Sequence, residues 1–133
     1  MRINDMVKEA HETAKSKGWW DEEKSFGEVI ALMHSELSEA LEEARAGIYY
    51  NVTYYECKNP QACPDDQCVY GNCCSDRPHK CAFAKPCGIP SELADCVIRI
   101  FDACGRYGID LEQAIRVKME YNKNRPYKHG KKF

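Results

Sequence analysis

The stretch that decides the fold is SFGEVIALMHSELSEALEEARAG, residues 25–47. It predicts one long helix, because Ser25 followed by Glu28 forms a capping box and Ala46-Gly47 is a typical helix end. At about 100° per residue, its apolar side chains form one stripe that is expected to face the core. The members of this stripe are Phe26, Ile30, Met33, Leu37, Ala40 and Ala44.

Three further helices are predicted, and only the short run IYYNVTYYE suggests an alternative strand. Their expected bounds are Asn4 to Lys17, Pro90 to Gly105 or Gly108, and Asp110 with its Gln113 to a residue before Pro126. The predicted class is all-α, with one domain, 1–133, in which the second and third helices pair antiparallel in a bundle. A cysteine-rich insert, 49–88, is expected to be irregular and to separate these two helices.

The acidic residues of the second and third helices are expected to bind a metal ion. Glu36, Glu39 and Glu43 lie together on one flank of the apolar stripe, where like charges repel unless they face solvent or a cation lies among them. The third helix carries Glu92 and Asp95 on the flank of its own stripe, which is Leu93, Val97, Ile100 and Cys104. Two acidic pairs that converge offer hard oxygen ligands, which suit Mg²⁺ or Mn²⁺. Two amphipathic helices with acidic, solvated edges are the alternative.

A di-iron bundle is disfavoured, because it requires Glu-x-x-His on two helices and no Glu of this chain precedes His at that spacing. The fourth helix adds a cationic face. Its apolar stripe, Leu111 and Ile115, continues as Lys118, Asn122 and Arg125, so the core-facing side is expected to become cationic. These groups are either structural salt-bridge partners or phosphate contacts.

Seven of the nine cysteines lie in the insert: Cys57, Cys63, Cys68, Cys73, Cys74, Cys81 and Cys87. Their spacing indicates that the cysteines cross-link the insert, through a bound metal or through disulfides. It does not decide which of these is present. Structural zinc is the first expectation, an iron-sulfur cluster the second, and disulfides the third, because no export signal is visible. The remaining pair, Cys96 and Cys104, is expected to consist of small core residues.

Composition restricts the possible partners of the chain. Nineteen basic and 21 acidic residues among 133 give a net charge of -2, which indicates no general affinity for nucleic acid or anionic membranes. No stretch approaches the roughly 20 apolar residues of a membrane span. A cytoplasmic protein without a membrane partner is therefore expected.

The segments HSELSEALEEAR and GIPSELADCVIRIFDACGRYGIDLEQAIRVKMEYNKNRPYKHGKKF resemble the MazG-like nucleotide pyrophosphohydrolases of the all-α NTP pyrophosphatase superfamily. The resemblance covers about half the chain, 26–47 and 88–133. It implies magnesium ligands at Glu36, Glu39, Glu92 and Asp95, with Glu39 or a neighbouring acid, such as Glu36, orienting the attacking water. It also implies phosphate and sugar contacts at Lys118, Asn122 and Arg125.

The reaction that this resemblance implies is hydrolysis of a nucleoside triphosphate between its α and β phosphates, on a deoxynucleotide or a non-canonical nucleotide. Trp19 and Trp20 are either base-stacking residues or a hydrophobic clamp at the end of the first helix. The family forms dimers or dimers of dimers, and Ile98, which projects away from the third helix's stripe, favours such an assembly. The cysteine-rich insert, 49–88, is a departure from the family, whose members join the two acidic helices by a short link. The rival interpretation is a non-catalytic metal-knuckle module that binds nucleic acid through the insert and the basic tail KHGKKF.

Overall fold

The computed structural model describes residues 2–58 and 84–132, and this part of the chain is mostly helical. The elements, in chain order, are α1 (Ile3–Ser16), α2 (Phe26–Arg45), β1 (Tyr54–Cys57), β2 (Ala84–Cys87), α3 (Ile89–Tyr107), α4 (Leu111–Lys123) and a final 3₁₀ turn (Tyr127–Gly130). The four predicted helices and the helical class are thereby confirmed. Among the described residues, no helix has the length and apolar character that crossing a membrane requires.

The helix ends follow from local capping. The hydroxyl of Ser25 accepts a hydrogen bond from the Glu28 amide at 3.1 Å, and the carboxylate of Asp110 accepts one from the Gln113 amide at 3.1 Å. Both side chains satisfy amide groups that a first helical turn leaves without partners. Gly108 takes φ +67°, a left-handed conformation that favours glycine, so α3 continues through Gly105 and ends at Tyr107.

A two-stranded antiparallel ladder lies at the two ends of the cysteine-rich insert. Tyr54 pairs with Cys87, and Glu56 pairs with Lys85. The expectation of a wholly irregular insert is therefore wrong at its ends, because β1 falls in the ambiguous tyrosine-rich run and β2 was not predicted. The middle of the insert, 59–83, lies outside the described residues.

The chain forms two compact units rather than a single cluster of contacts. Unit 1 comprises Met1–Val29 and Ile98–Phe133, and unit 2 comprises Ile30–Val97, so that α2 and α3 contribute residues to both. The sequence analysis expected one domain without this internal division.

Unit 1 contains a polar cluster on Asp102 of α3. Its Oδ1 lies 2.8 Å from Nδ1 of His11 and accepts a 2.8 Å hydrogen bond from Nε1 of Trp20. Gly105, one turn further along α3, packs so closely against the His11 side chain that a Cβ atom there would collide with it. These contacts fix α1 and the segment after it on the α3 part of this unit.

In unit 2, the buried faces of α2 and α3 are not the predicted apolar stripes. Leu37 is 47% exposed and Leu93 is 46% exposed, whereas Glu36 and Glu92 are buried. Ala44 and Val97, which were also expected to face the core, are exposed, and so is Phe26, the stripe residue that belongs to unit 1. The buried nonpolar residues of this unit are the small ones, Ala40, Cys87 and Cys96. In this unit Glu36 and Glu92 of the acidic flanks are covered, whereas Leu37, Leu93 and Val97 of the predicted stripes are exposed.

Candidate metal centre

Three carboxylates from two helices converge in unit 2. Glu36 and Glu39 are three residues apart on α2, which places them on one side of that helix, and Glu92 lies in the first turn of α3. Oxygen atoms of all three side chains lie within 4.8 Å of one another. The structure therefore brings together three of the four acids that the sequence analysis assigned to one site.

The burial of this cluster is uneven. Glu36 and Glu92 are each only 6% exposed, whereas Glu39 is exposed to solvent. Oε2 of Glu92 is buried and has no hydrogen-bond partner among the described residues. A buried carboxylate oxygen without a partner is costly, because it has lost its hydration without a compensating contact. Glu92 is also one of the three residues whose carboxylate oxygens lie close enough together for a cation to bind them.

The electrostatics of the cluster act mainly on Glu92. Burial, a hydrogen bond shared with Glu39, and the negative charges of Glu39 and Asp95 together raise the pKa of Glu92 from 4.5 to about 7. Lys85 acts in the opposite direction and lowers it. Near neutral pH the cluster thus retains a proton that a bound divalent cation would displace, since a cation favours the ionised form.

Asp95 is half-buried and lies one helical turn beyond Glu92. Its charge reaches Glu92, but the group of oxygen atoms within 4.8 Å comprises Glu36, Glu39 and Glu92. Asp95 therefore stays a prediction as a ligand. The donor set of the cluster consists of carboxylate oxygens, which fit Mg²⁺ or Mn²⁺ better than the softer transition metals.

Contacts between the ladder and the helices position Glu92. The hydroxyl of Tyr54 donates a 2.7 Å hydrogen bond to Glu43, one turn after Glu39, and this contact together with burial raises the pKa of Tyr54. Gly88 adopts φ +104° and packs directly against the backbone carbonyl of Val52, and its own carbonyl accepts the Glu92 amide at 3.1 Å. A side chain at Gly88 would collide with that carbonyl, so the tight entry into α3 depends on glycine.

Sequence reasoning missed the roles of Tyr54, Gly88 and Lys85. One signal in the sequence pointed to such a contact: Glu43 continues the flank of Glu36 and Glu39 by one helical turn. The residue that binds Glu43, Tyr54, could not be identified without the register of the β1–β2 ladder.

The predicted phosphate contacts lie in unit 1, on and just beyond α4. Lys118 and Asn122 are exposed and Arg125 is half-buried, so the expectation of a core-facing cationic side is wrong within the chain. Nζ of Lys118 and Cζ of Arg125 lie 5.4 Å and 5.3 Å from the ring centroid of Tyr121, which is 57% exposed. The sequence analysis did not single out Tyr121, although its spacing of three and four residues from these cations places it on the same face.

Trp20, the predicted base-stacking residue, is half-buried in unit 1. In addition to the hydrogen bond from its indole N–H to Asp102, its ring has Arg106 at 4.9 Å and Lys24 at 5.1 Å from the centroid. The contacts with Asp102 and Arg106 join Trp20 to α3 within unit 1, and base stacking by Trp20 stays a prediction. Trp19 is the more exposed of the two rings, at 59%.

The cysteine site can be described only at its edges. Cys57 and Cys87 lie in the two strands, whereas Cys63, Cys68, Cys73, Cys74 and Cys81 fall outside the described residues. Cys87 is a buried free thiol whose pKa is raised by that burial. Cys96 and Cys104 are buried free thiols, which confirms their expected place in the core.

Comparisons of the chain with protein-family models, with curated proteins and with solved structures returned no match. The carboxylate cluster of Glu36, Glu39 and Glu92 is the candidate site.

Proposed function

We propose that the protein is a hydrolase that uses Mg²⁺ or Mn²⁺ to cleave nucleoside triphosphates between the α and β phosphates. Its products are the nucleoside monophosphate and pyrophosphate, and its substrates are deoxynucleotides or non-canonical nucleotides. The sequence resemblance to MazG-like enzymes supplies the reaction type.

The observation that carries this proposal is the convergence of Glu36, Glu39 and Glu92, one of which, Glu92, has a buried Oε2 with no hydrogen-bond partner among the described residues. Solvated acidic edges do not require two carboxylates at 6% exposure. A divalent cation held by these oxygens offsets the cost of burying them.

Glu36, Glu39 and Glu92 would hold the metal, and Asp95 is the proposed fourth ligand. The bound cation would polarise the α-phosphorus and neutralise charge on the phosphate oxygens. Glu39, the exposed member, has access to solvent and accepts the proton of the attacking water. The water oxygen bonds to the α-phosphorus as the bond to the α,β-bridging oxygen breaks, and pyrophosphate leaves.

Lys118, Asn122 and Arg125 are proposed to contact the phosphates and the sugar, on the strength of the resemblance. Lys118 and Asn122 are exposed, so their polar groups are accessible to a ligand. Tyr121, between two cations and largely exposed, offers an aromatic face in the same region.

We also propose that the chain assembles as a homodimer or a dimer of dimers. Exposed aliphatic side chains recur at intervals of four on both helices of unit 2: Leu37 and Leu41 on α2, and Leu93 and Val97 on α3. Ile98, which the sequence singles out as projecting away from the stripe of α3, is also exposed, at 49%. The symmetry-related face of a second copy would cover these residues.

The insert is proposed to bind a structural metal, with zinc favoured over an iron-sulfur cluster. Burial of the Cys87 thiol means that this sulfur becomes a ligand only if the metal displaces its proton. Elemental analysis of protein purified without chelator tests the assignment. Less than about one zinc or iron per chain would exclude a stoichiometric metal.

A panel of triphosphates assayed for pyrophosphate with Mg²⁺ or Mn²⁺ tests the activity. Glu39→Gln is expected to abolish metal-dependent turnover, whereas a nucleic-acid-binding module would tolerate it. The matched control is Glu42→Gln on the same helix, because Glu42 is exposed and its contact with Arg45 is a 3.8 Å surface pair. Release of single phosphate, or no turnover with either metal, would exclude this function.

A further inference from the structure

The β1–β2 ladder leads directly into the helix that carries Glu92. Strand β2 ends at Cys87 and α3 begins at Ile89, so that only Gly88 separates the strand from the helix. The carbonyl of Gly88 accepts a 3.1 Å hydrogen bond from the Glu92 amide. Because the backbone is stiff over a hydrogen-bonded turn, the end of β2 fixes where Glu92 lies.

The other strand of the ladder is bound to the helix that carries Glu39. Tyr54, the first residue of β1, donates a 2.7 Å hydrogen bond through its hydroxyl to the carboxylate of Glu43. Glu43 follows Glu39 by one helical turn of α2, or about 6 Å. Tyr54 also pairs with Cys87 across the ladder. The two strands therefore connect α2 to the start of α3 at the same end of the ladder.

This end of the ladder is tightly packed. Cys87 is 5% exposed, and its thiol donates a hydrogen bond to the carbonyl of Lys85 at 3.5 Å. The carbonyl of Val52, just before β1, packs so closely against Gly88 that a Cβ atom there would collide with it. Close-packed contacts of this kind resist displacement, so the position of Tyr54 relative to the start of α3 is fixed.

We infer that Tyr54 is a positioning residue of the carboxylate cluster: its hydrogen bond to Glu43 holds α2 at the distance from α3 at which the cluster binds a divalent cation. This inference rests on the metal centre of the proposed function. It also extends that function, because the resemblance assigns no role to the insert, which contributes both strands. Ligand oxygens must lie about 2.1 Å from Mg²⁺, so a small change in helix spacing weakens binding.

Two other roles for this contact make different demands. If Tyr54 only stabilised unit 2, its loss would lower the unfolding midpoint but leave the metal affinity and metal preference of the folded protein unchanged. If the charge of Glu43 attracted the cation directly, Glu43→Gln would weaken binding. A positioning role instead tolerates Glu43→Gln, because a glutamine carbonyl can still accept the hydrogen bond from the Tyr54 hydroxyl.

The test measures Mn²⁺ binding to the full chain by electron paramagnetic resonance, at a temperature where circular dichroism shows each variant to be folded. Tyr54→Phe and Glu43→Ala remove the same hydrogen bond from its two sides, and Glu43→Gln removes only the charge. The matched control is Tyr55→Phe, the same change on the opposite face of β1. Displacement of bound Mn²⁺ by Ca²⁺ is titrated for each protein, because a loosened site favours the larger ion.

Tyr54→Phe and Glu43→Ala are each expected to weaken Mn²⁺ binding by about tenfold, the lower end of the loss for residues that orient metal ligands. Their preference for Mn²⁺ over Ca²⁺ should fall by about threefold or more. The double variant should bind no more weakly than Glu43→Ala alone, since both changes remove one bond. Glu43→Gln and Tyr55→Phe should stay within about twofold of the wild type.

Wild-type affinity and metal preference in Tyr54→Phe would overturn the inference. So would an equal loss in Tyr54→Phe and Tyr55→Phe, a loss in Glu43→Gln as large as in Glu43→Ala, or wild-type protein that binds no Mn²⁺. Failure of the proposed function is a separate result: wild-type protein whose Mn²⁺ affinity depends on Tyr54 but that hydrolyses no triphosphate would leave the positioning role standing and remove the reaction.

Discussion

Glu92→Gln separates the electrostatic cost of the carboxylate cluster from its role in metal binding. The folded-state pKa of Glu92, about 7, lies above its ordinary value of 4.5. Between these two values the folded protein holds a proton that the unfolded chain has released. Stability of the metal-free protein therefore falls as pH rises through this interval, and the loss is complete above it.

The size of this loss follows from the shift. At about 1.4 kcal/mol per pKa unit, an ionised Glu92 lowers the free energy of unfolding of the metal-free protein by about 3 kcal/mol. Glutamine has a similar shape and does not ionise. Glu92→Gln should therefore stabilise the metal-free protein at pH 8 by up to about 3 kcal/mol, or about 10 °C in Tm for a chain of this size.

The assay is thermal and urea unfolding with a chelator present, at fixed protein concentration, from pH 4.5 to pH 8. Wild type and variant should converge towards the acidic end, because Glu92 is neutral in the folded protein there and about half-protonated in the unfolded chain. Addition of Mn²⁺ at pH 8 should stabilise the wild type and have much less effect on the variant. Glu42→Gln should lie within about 0.5 kcal/mol of the wild type throughout, because its site is exposed. A Glu92→Gln variant that is less stable than wild type at pH 8, or that keeps the same pH dependence, would refute the reasoning.

Three further substitutions, measured by urea unfolding, test contacts that stabilise each of the two units. Gly88→Ala should destabilise the protein by about 1–3 kcal/mol or more, because φ +104° disfavours a side chain and the Val52 carbonyl occupies the space of a Cβ atom. An unchanged urea midpoint would contradict that contact. Tyr54→Phe should cost about 1 kcal/mol through loss of the 2.7 Å bond to Glu43, and no cost would mean that the bond does not hold the ladder. Gly105→Ala should cost about 1–3 kcal/mol by overpacking the imidazole of α1, and a stabilised variant would show that α1 and α3 are not in close contact.

The helices were predictable because their signals are local. Ser25 and Asp110 cap helices through contacts three residues away, and Gly108 ends one through its own backbone conformation. The strands were not predictable in the same way. Ala84–Cys87 contains a lysine and a proline, which carry little strand preference, and its pairing with Tyr54–Cys57 is a contact across the whole insert.

The acidic pairs could be located from sequence because helical periodicity fixes which residues share a side. Periodicity could not decide which side is covered. The analysis assigned Leu37 and Leu93 to the core and the acids to its edge, whereas Glu36 and Glu92 are the buried residues. In the proposed assembly a second copy would cover the apolar stripe that one chain leaves exposed, and a helical wheel does not distinguish burial within a chain from burial between chains.

The most direct measurement of the central claim is Mn²⁺ binding to the full chain, followed by electron paramagnetic resonance of the free ion. The account predicts saturable binding by the wild type and by Glu42→Gln, and at least about a tenfold weaker affinity in Glu36→Gln and in Glu92→Gln. Equal affinity in all four proteins would contradict the assignment of Glu36, Glu39 and Glu92 as a metal centre.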